Sequence, residues 1–252
     1  MIASHAEDIL KRGLSMVNAC DEDKAICRLL GGVAVYYLVH DIYQEVPALA
    51  RVPKDIDLAG RRKESQRLIK ALEGLGLVAD KRFNALHGWE RLKFVDPQFN
   101  LKVDVFLDTF RESHVIELDD RLGVFTPTIP PSDLLMTKLQ IWEINEKDIK
   151  DIIAMLYKLE LSDKDSSSTI DINRIIQLTS NDWGLYKTTT INLDRTINYM
   201  NTIELPMNVK DRVTNNISML RQRIEEAPKS IKWRMRAAIG ERVKWYETPE
   251  EA

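Results

Sequence analysis

Asp55 and Asp57 stand one residue apart in the segment Asp55-Ile56-Asp57-Leu58, each acid followed by an apolar residue. Side chains at i and i+2 of a strand share a face, so the two carboxylates point one way while Ile56 and Leu58 point into a core. Acids this close repel one another, and both stay ionised only beside a cation or hydrogen-bond donors. Asp104 belongs to a second alternating segment. There Val103, Val105 and Leu107 take one side, and Lys102, Asp104, Phe106 and Asp108 the other. If the two strands pair, Asp55, Asp57 and Asp104 gather on one sheet face. Such an oxygen-rich set suits Mg²⁺, which is held by carboxylates together with substrate phosphates. A solvated acidic sheet face is the plain alternative, since Asp is disfavoured in strands but not forbidden.

Gly31 and Gly32 end an apolar run and precede a helix-like segment. Backbone amides without side chains let a phosphate approach, and a helix start adds its positive end. A tight turn uses the same residue type. Neither a P-loop ending nor a dinucleotide fingerprint accompanies the pair. Arg51 and Lys54, just before the Asp pair, are either phosphate contacts or ordinary loop charges.

The elements that must place these residues follow from periodicity. Residues 6–18 form an amphipathic helix with Ile9, Leu10, Leu14 and Val17 on one side, and "AICRLL" is a strand ending at the glycines. "VAVYYLVHDIY" is a helix candidate despite its β-branched and aromatic content. "DIDLAG" is a strand, and "KESQRLIKALEGLGL" a helix with Leu68, Ile69, Leu72 and Leu75 inward. "WERLKFVD" and "LKVDVFLD", joined by "PQFN", read as a hairpin, and "RLGVFTP" as one more short strand. Ser132 is placed to cap the helix of "PPSDLLMTKLQIWEI", and "EKDIKDIIAMLYKLEL" continues as another helix. At Ser162–Thr169 the composition turns polar and small, which marks a domain boundary, and helices dominate beyond Ile170. The expectation is an α+β domain over residues 1–161 and a helical domain over 170–252.

Bulk properties agree with an ordinary globular chain: 44% hydrophobic and 30% charged residues exclude a disordered polyelectrolyte, and a net charge of −3 excludes a uniformly basic polyanion binder. Cys20 and Cys27 fit neither a zinc signature nor a disulfide framework and read as reduced, buried or semi-buried thiols. The N-terminus lacks the apolar run of a signal peptide, and no segment reaches the ~20 apolar residues of a membrane span. A cytoplasmic, non-membrane protein is expected.

The combination "LLGGVAV…VPKDIDL…KVDVFLD" resembles the nucleotidyltransferase superfamily with the DNA polymerase β-like fold. "DLLMTKLQIWEINEKDIKDI" is similar to the Lys and Asp-x-x-Asp motifs of its AbiEii-type branch, known from abortive-infection and toxin–antitoxin systems. The likeness covers residues 25–160 and departs in one respect: "DIYQEVPALARVP" lengthens the interval between Gly32 and Asp55. It implies a nucleotidyltransferase-type mixed β-sheet flanked by helices, and an enzyme moving a nucleoside monophosphate from an NTP to a hydroxyl. By the same resemblance Asp55, Asp57 and Asp104 hold two Mg²⁺ ions, or Mn²⁺, and Asp104 helps deprotonate the acceptor. Gly31 and Gly32 cradle phosphates, with Arg51 and Lys54 beside them. Lys138 pairs with a phosphate, and Asp148 and Asp151 orient Lys138 or the base. Without the resemblance, Lys138 is a solvated helix lysine, and Asp148 and Asp151 are exposed acids.

The segment "PKSIKWRMRAAIGERVKWY" carries Lys229, Lys232, Arg234, Arg236, Arg242 and Lys244 against Glu241, with Trp233 and Trp245 among them. Ile231, Met235, Ala238, Ile239 and Val243 recur at helical spacing, which directs them inward and the cations outward. The segment is read as a terminal helix packed on acidic neighbours, or as a nucleic-acid surface that would take tRNA or another RNA acceptor. The resemblance also admits an antitoxin protein as partner. A competing expectation is a binding or regulatory module that keeps the fold without activity.

Overall fold

A computed structural model describes residues 2–248. Its elements run α1 (Ile2–Glu22), β1 (Cys27–Leu30), α2 (Gly31–Val39), β2 (Asp55–Gly60), α3 (Ser65–Gly74), β3 (Val78–Ala79), α4 (Lys81–His87), β4 (Arg91–Asp96), β5 (Leu101–Leu107), β6 (Thr109–Arg111) and β7 (Val115–Glu117). These are followed by α5 (Pro131–Leu139), α6 (Glu146–Lys158), β8 (Glu160–Ser162), β9 (Thr169–Asp171), α7 (Ile172–Asn181), α8 (Trp183–Met200), α9 (Met207–Glu226) and α10 (Ile231–Ile239). Short 3₁₀ turns occupy His40–Tyr43 and Pro47–Leu49. The chain divides into two compact units. The first comprises Met1–His40, Arg51–Phe110 and Ile116–Pro130; the second comprises Asp41–Ala50, Arg111–Val115 and Pro131–Ala252.

The first unit is built on a mixed sheet of order β1-β2-β5-β4-β3, in which β2 and β5 run parallel and the other neighbours antiparallel. One face of this sheet is apolar: Leu29, Ile56, Leu58, Leu92, Phe94, Val103 and Val105 are all buried. α1 covers that face with Ala6, Ile9, Met16, Val17 and Cys20, while Leu10 and Leu14 sit at the margin. Gly13 of α1 lies directly over Leu29, Val33 and Ile56, where a Cβ would come within 2.8 Å of Leu29. α3 adds Leu68 and Leu72. Burying each such aliphatic side chain contributes about 1.5–3 kcal/mol, so this face holds the sheet in register. The Asp96 carboxylate, fully buried at the end of β4, takes a 2.5 Å hydrogen bond from Arg12 Nε and ties the hairpin to α1. Cys20 and Cys27 are both buried free thiols, and the Cys20 hydrogen bond together with burial pushes the Cys27 thiol well up.

The second unit is mainly helical. α5 is buried along its whole length and packs on α6, α7 and α8, and α6 packs on α8 and α9. Ile149, Ile152, Ile153, Leu156 and Leu159 form the buried stripe expected of this segment.

Three expectations are corrected. Residues 131–161 group with the later helices rather than with the sheet unit, and no unit boundary falls at Ser162–Thr169, because α5 and α6 bury their apolar faces among those helices. The polar stretch instead closes the β8–β9 pair. Ser132 does not cap α5: its backbone N–H and Oγ both donate to Asp165, at 2.8 and 2.7 Å, so the orphan donor at the helix start is met from a distant loop. Residues 121–127 are turns and bends rather than a strand, with Leu29 N–H bonded to the Pro127 carbonyl and Leu29 O to Ile129 N–H.

Candidate functional site

In the first unit the register brings the sequence candidates together. Asp57 is the direct partner of Asp104 across the parallel β2–β5 pair, and Asp55 lies opposite Lys102. Directly paired residues project to the same side, so all three carboxylates occupy the sheet face opposite the apolar one. Neighbouring strands are about 4.8 Å apart, which sets the scale separating Asp57 and Asp104. Asp55 is exposed and has no side-chain partner among the described residues, whereas Asp57 and Asp104 are half-buried.

Gly31 starts α2 with a φ of +62°, a left-handed conformation that side chains resist. The Asp57 carboxylate occupies the space beside it: a Cβ on Gly31 would lie 3.0 Å from Asp57 Cγ and closer still to its Oδ2. Leu30, the residue before, is paired with Asp57 across β1 and β2, which explains the proximity. Gly32 makes room for a different group. A Cβ there would come within 2.6 Å of the Arg51 guanidinium. The adjacent glycines therefore admit a carboxylate and a guanidinium to consecutive backbone positions at the start of one helix. Lys54 is exposed and lines a groove of about 670 Å³ with Val52, Pro53, Phe99 and Asn100.

Arg91 was not singled out by sequence, and it is the principal addition. Its Nε donates to Asp104 Oδ1 at 2.9 Å, and its guanidinium lies 4.6 Å from the centroid of the Phe106 ring. Lys93 on the same strand pairs with Asp104 in register. The signal was present: in an antiparallel hairpin closed at Asp96 and Leu101, counting back from the turn sets Lys93 against Asp104 and Arg91 against Phe106.

Carboxylate oxygens on one face suit a hard divalent cation in kind. Among the described residues, however, no group of three or more His, Cys, Asp or Glu side chains is arranged to hold a metal ion. Asp104 spends Oδ1 on Arg91, so a cation would take its other oxygen or compete with that ion pair.

In the second unit Lys138, Asp148 and Asp151 form one buried cluster. Lys138 Nζ lies 2.7 Å from Asp148 Oδ1 and 3.1 Å from Asp151 Oδ2, and the three residues are at most 8% exposed. The helical spacing of the two acids on α6 presents both to α5, and Asn145 caps α6 by accepting from the N–H groups of Lys147 and Asp148. The reading of Lys138 as a solvated surface lysine and of the acids as exposed is overturned by this burial. Elsewhere in this unit His114 is buried, its Nε2 2.8 Å from Thr188 Oγ1, and burial lowers its pKa to about 4.

α10 also differs from expectation. None of its residues is buried, and Ile231, Met235 and Ile239 are 70%, 69% and 46% exposed. The helix rests instead on Trp233, edge-on to Tyr186, and on Arg236, whose guanidinium lies 4.7 Å from the centroid of Trp183. Among the described residues no helix is long and apolar enough to cross a membrane. No family model, no curated protein and no solved structure matches this chain.

Proposed function

We propose that the chain is a nucleotidyltransferase-type enzyme that transfers a nucleoside monophosphate from an NTP to a hydroxyl. The observation that supports this most is the pairing of Asp57 with Asp104 beside a left-handed Gly31 at a helix start. Carboxylates for a cation then adjoin a helix start that carries the Arg51 guanidinium for phosphates, as phosphoryl transfer requires.

In this reading Asp55, Asp57 and Asp104 would hold Mg²⁺, which supplies charge neutralisation of the triphosphate and of the attacking oxygen. The backbone at Gly31 and Gly32 binds phosphate oxygens, and Arg51, already against Gly32, adds a forked donor set matched to phosphate. Lys54 offers a further cation from the rim. Asp104 accepts the proton of the acceptor hydroxyl once Arg91 shifts from it. Lys138 lies in the second unit, where Asp148 and Asp151 hold it and offset its charge.

A second reading is favoured by the Arg91–Asp104 ion pair: a binding module in which arginine has taken the place of a cation. Thermal unfolding with Mg²⁺ and each of the four NTPs separates the two. A ligand at a hundred times its Kd adds about 2.7 kcal/mol. Under the enzyme reading one NTP raises Tm only with Mg²⁺ present, and the Asp55→Asn/Asp57→Asn variant loses the shift. No Mg²⁺-dependent shift with any NTP leaves the binding module. Product analysis with the stabilising NTP and candidate acceptors, RNA among them, then reads the transfer itself.

A further inference from the structure

α10 is a basic helix whose apolar stripe faces outward. Ile231, Met235 and Ile239 recur every four residues, so they share one face over about 12 Å at 1.5 Å per residue. Val243, beyond the end of the helix, is also 57% exposed. A row of large aliphatic groups exposed on one helix face is a candidate interaction site. Met235 and Ile239 also line an open pocket of about 660 Å³, together with Val115, Trp183, Gly184 and Trp245 of the same unit. That volume accommodates bulky side chains of a partner.

The charges state the partner's sign. Lys232, Arg234 and Arg242 have no acidic partner among the described residues. The nearby acids are engaged: Glu241 pairs with Lys187 at 2.6 Å, Asp182 accepts from Leu185 N–H, and Glu247 faces Arg111 at 3.5 Å. A single-stranded nucleic acid would need open ring faces for its bases. Here the rings are used internally. Trp142 stacks on Tyr246 at 4.2 Å, Trp245 stands edge-on to Trp142 and Trp183, and Arg195, Arg236 and Lys244 lie over Trp142, Trp183 and Tyr246. What remains at the surface is aliphatic and cationic.

We propose that α10 and the adjoining pocket dock an acidic amphipathic helix of a partner protein. Its apolar residues at i, i+4 and i+7 lie along Ile231, Met235 and Ile239, with one of them entering the pocket, and its carboxylates meet Lys232, Arg234 and Arg242. The nucleotide reading is not required, since none of Asp55, Asp57 or Asp104 takes part.

The test is fluorescence anisotropy of the full chain with labelled helical peptides of about 18 residues, or five turns. The peptides carry Leu at those positions in several registers and Glu elsewhere. Controls are scrambled peptides of equal composition, single-stranded oligoribonucleotides and vesicles containing anionic lipid. The expected result is micromolar binding of at least one amphipathic peptide and none of its scrambled form. Met235→Glu and Lys232→Glu should each weaken it by roughly 10-fold while leaving Tm unchanged. Failure of every peptide to bind below roughly 100 µM overturns the proposal. So does tighter binding of the oligoribonucleotide or the vesicle that Lys232→Glu weakens and Met235→Glu does not touch.

Discussion

Replacing Gly31 with alanine tests whether the glycine pair is part of the site or an ordinary turn. At a φ of +62° an alanine carries about 1–2 kcal/mol of backbone strain. Its Cβ would also sit 3.0 Å from Asp57 Cγ, so the carboxylate must swing away from a neighbour it now touches. Together these place the loss near 2 kcal/mol, or roughly 4–8 °C in Tm for a chain of this size. Gly32→Ala is the matched control. Gly32 has no positive φ, and the atoms its Cβ would meet belong to the far end of Arg51, which can move. Alanine in place of glycine gains up to about 1 kcal/mol of helix propensity, so stability should change little. Calorimetry of the two variants, with and without Mg²⁺ and NTP, reads both parts. Gly31→Ala should melt well below Gly32→Ala and lose ligand stabilisation, while Gly32→Ala keeps its stability and binds NTP more weakly through a displaced Arg51. Equal melting temperatures would refute the assignment of Gly31 to an Asp57-bearing strained site.

Three further outcomes are expected. Arg91→Gln frees Asp104 Oδ1 from its ion pair, so Mg²⁺-dependent stabilisation should rise at low Mg²⁺ if the carboxylates hold the cation; a titration of Tm against Mg²⁺ checks it. Lys138→Met leaves Asp148 and Asp151 buried without their cation and should cost about 3–5 kcal/mol in urea unfolding, whereas Lys147→Met, an exposed neighbour, should cost almost nothing. His114 is held neutral by burial, its pKa lowered from 6.5 to about 4. Above pH 6.5 neither state is charged and stability is full; between 6.5 and 4 the unfolded chain takes up a proton that the folded chain refuses. Stability should therefore fall by about 3 kcal/mol across that window, and His114→Gln should flatten this part of the urea-midpoint profile.

The parts of this protein legible in the sequence are those governed by local periodicity. Alternation in Asp55–Gly60 and Leu101–Leu107 reveals two strands and the side each carboxylate takes, because a strand's side-chain period is two wherever the strand lies. The stripe of α6 and the hairpin closed at Pro97–Asn100 are visible for the same reason. Even Arg91 opposite Phe106 is recoverable by counting from the turn. Tertiary structure alone decides the rest. That β2 and β5 are parallel neighbours, so that Asp57 meets Asp104, depends on a crossover through α3, β3, α4 and β4 that no local pattern specifies. The approach of Arg51 to Gly32, of Asp165 to Ser132, and of two carboxylates to Lys138 joins residues distant in the chain or on separate helices. α10 shows the limit most plainly: periodicity establishes that Ile231, Met235 and Ile239 share a face, but whether that face is covered depends on which neighbour packs there. Here Trp233 and Arg236 anchor the helix to α8, which turns the apolar stripe to the surface.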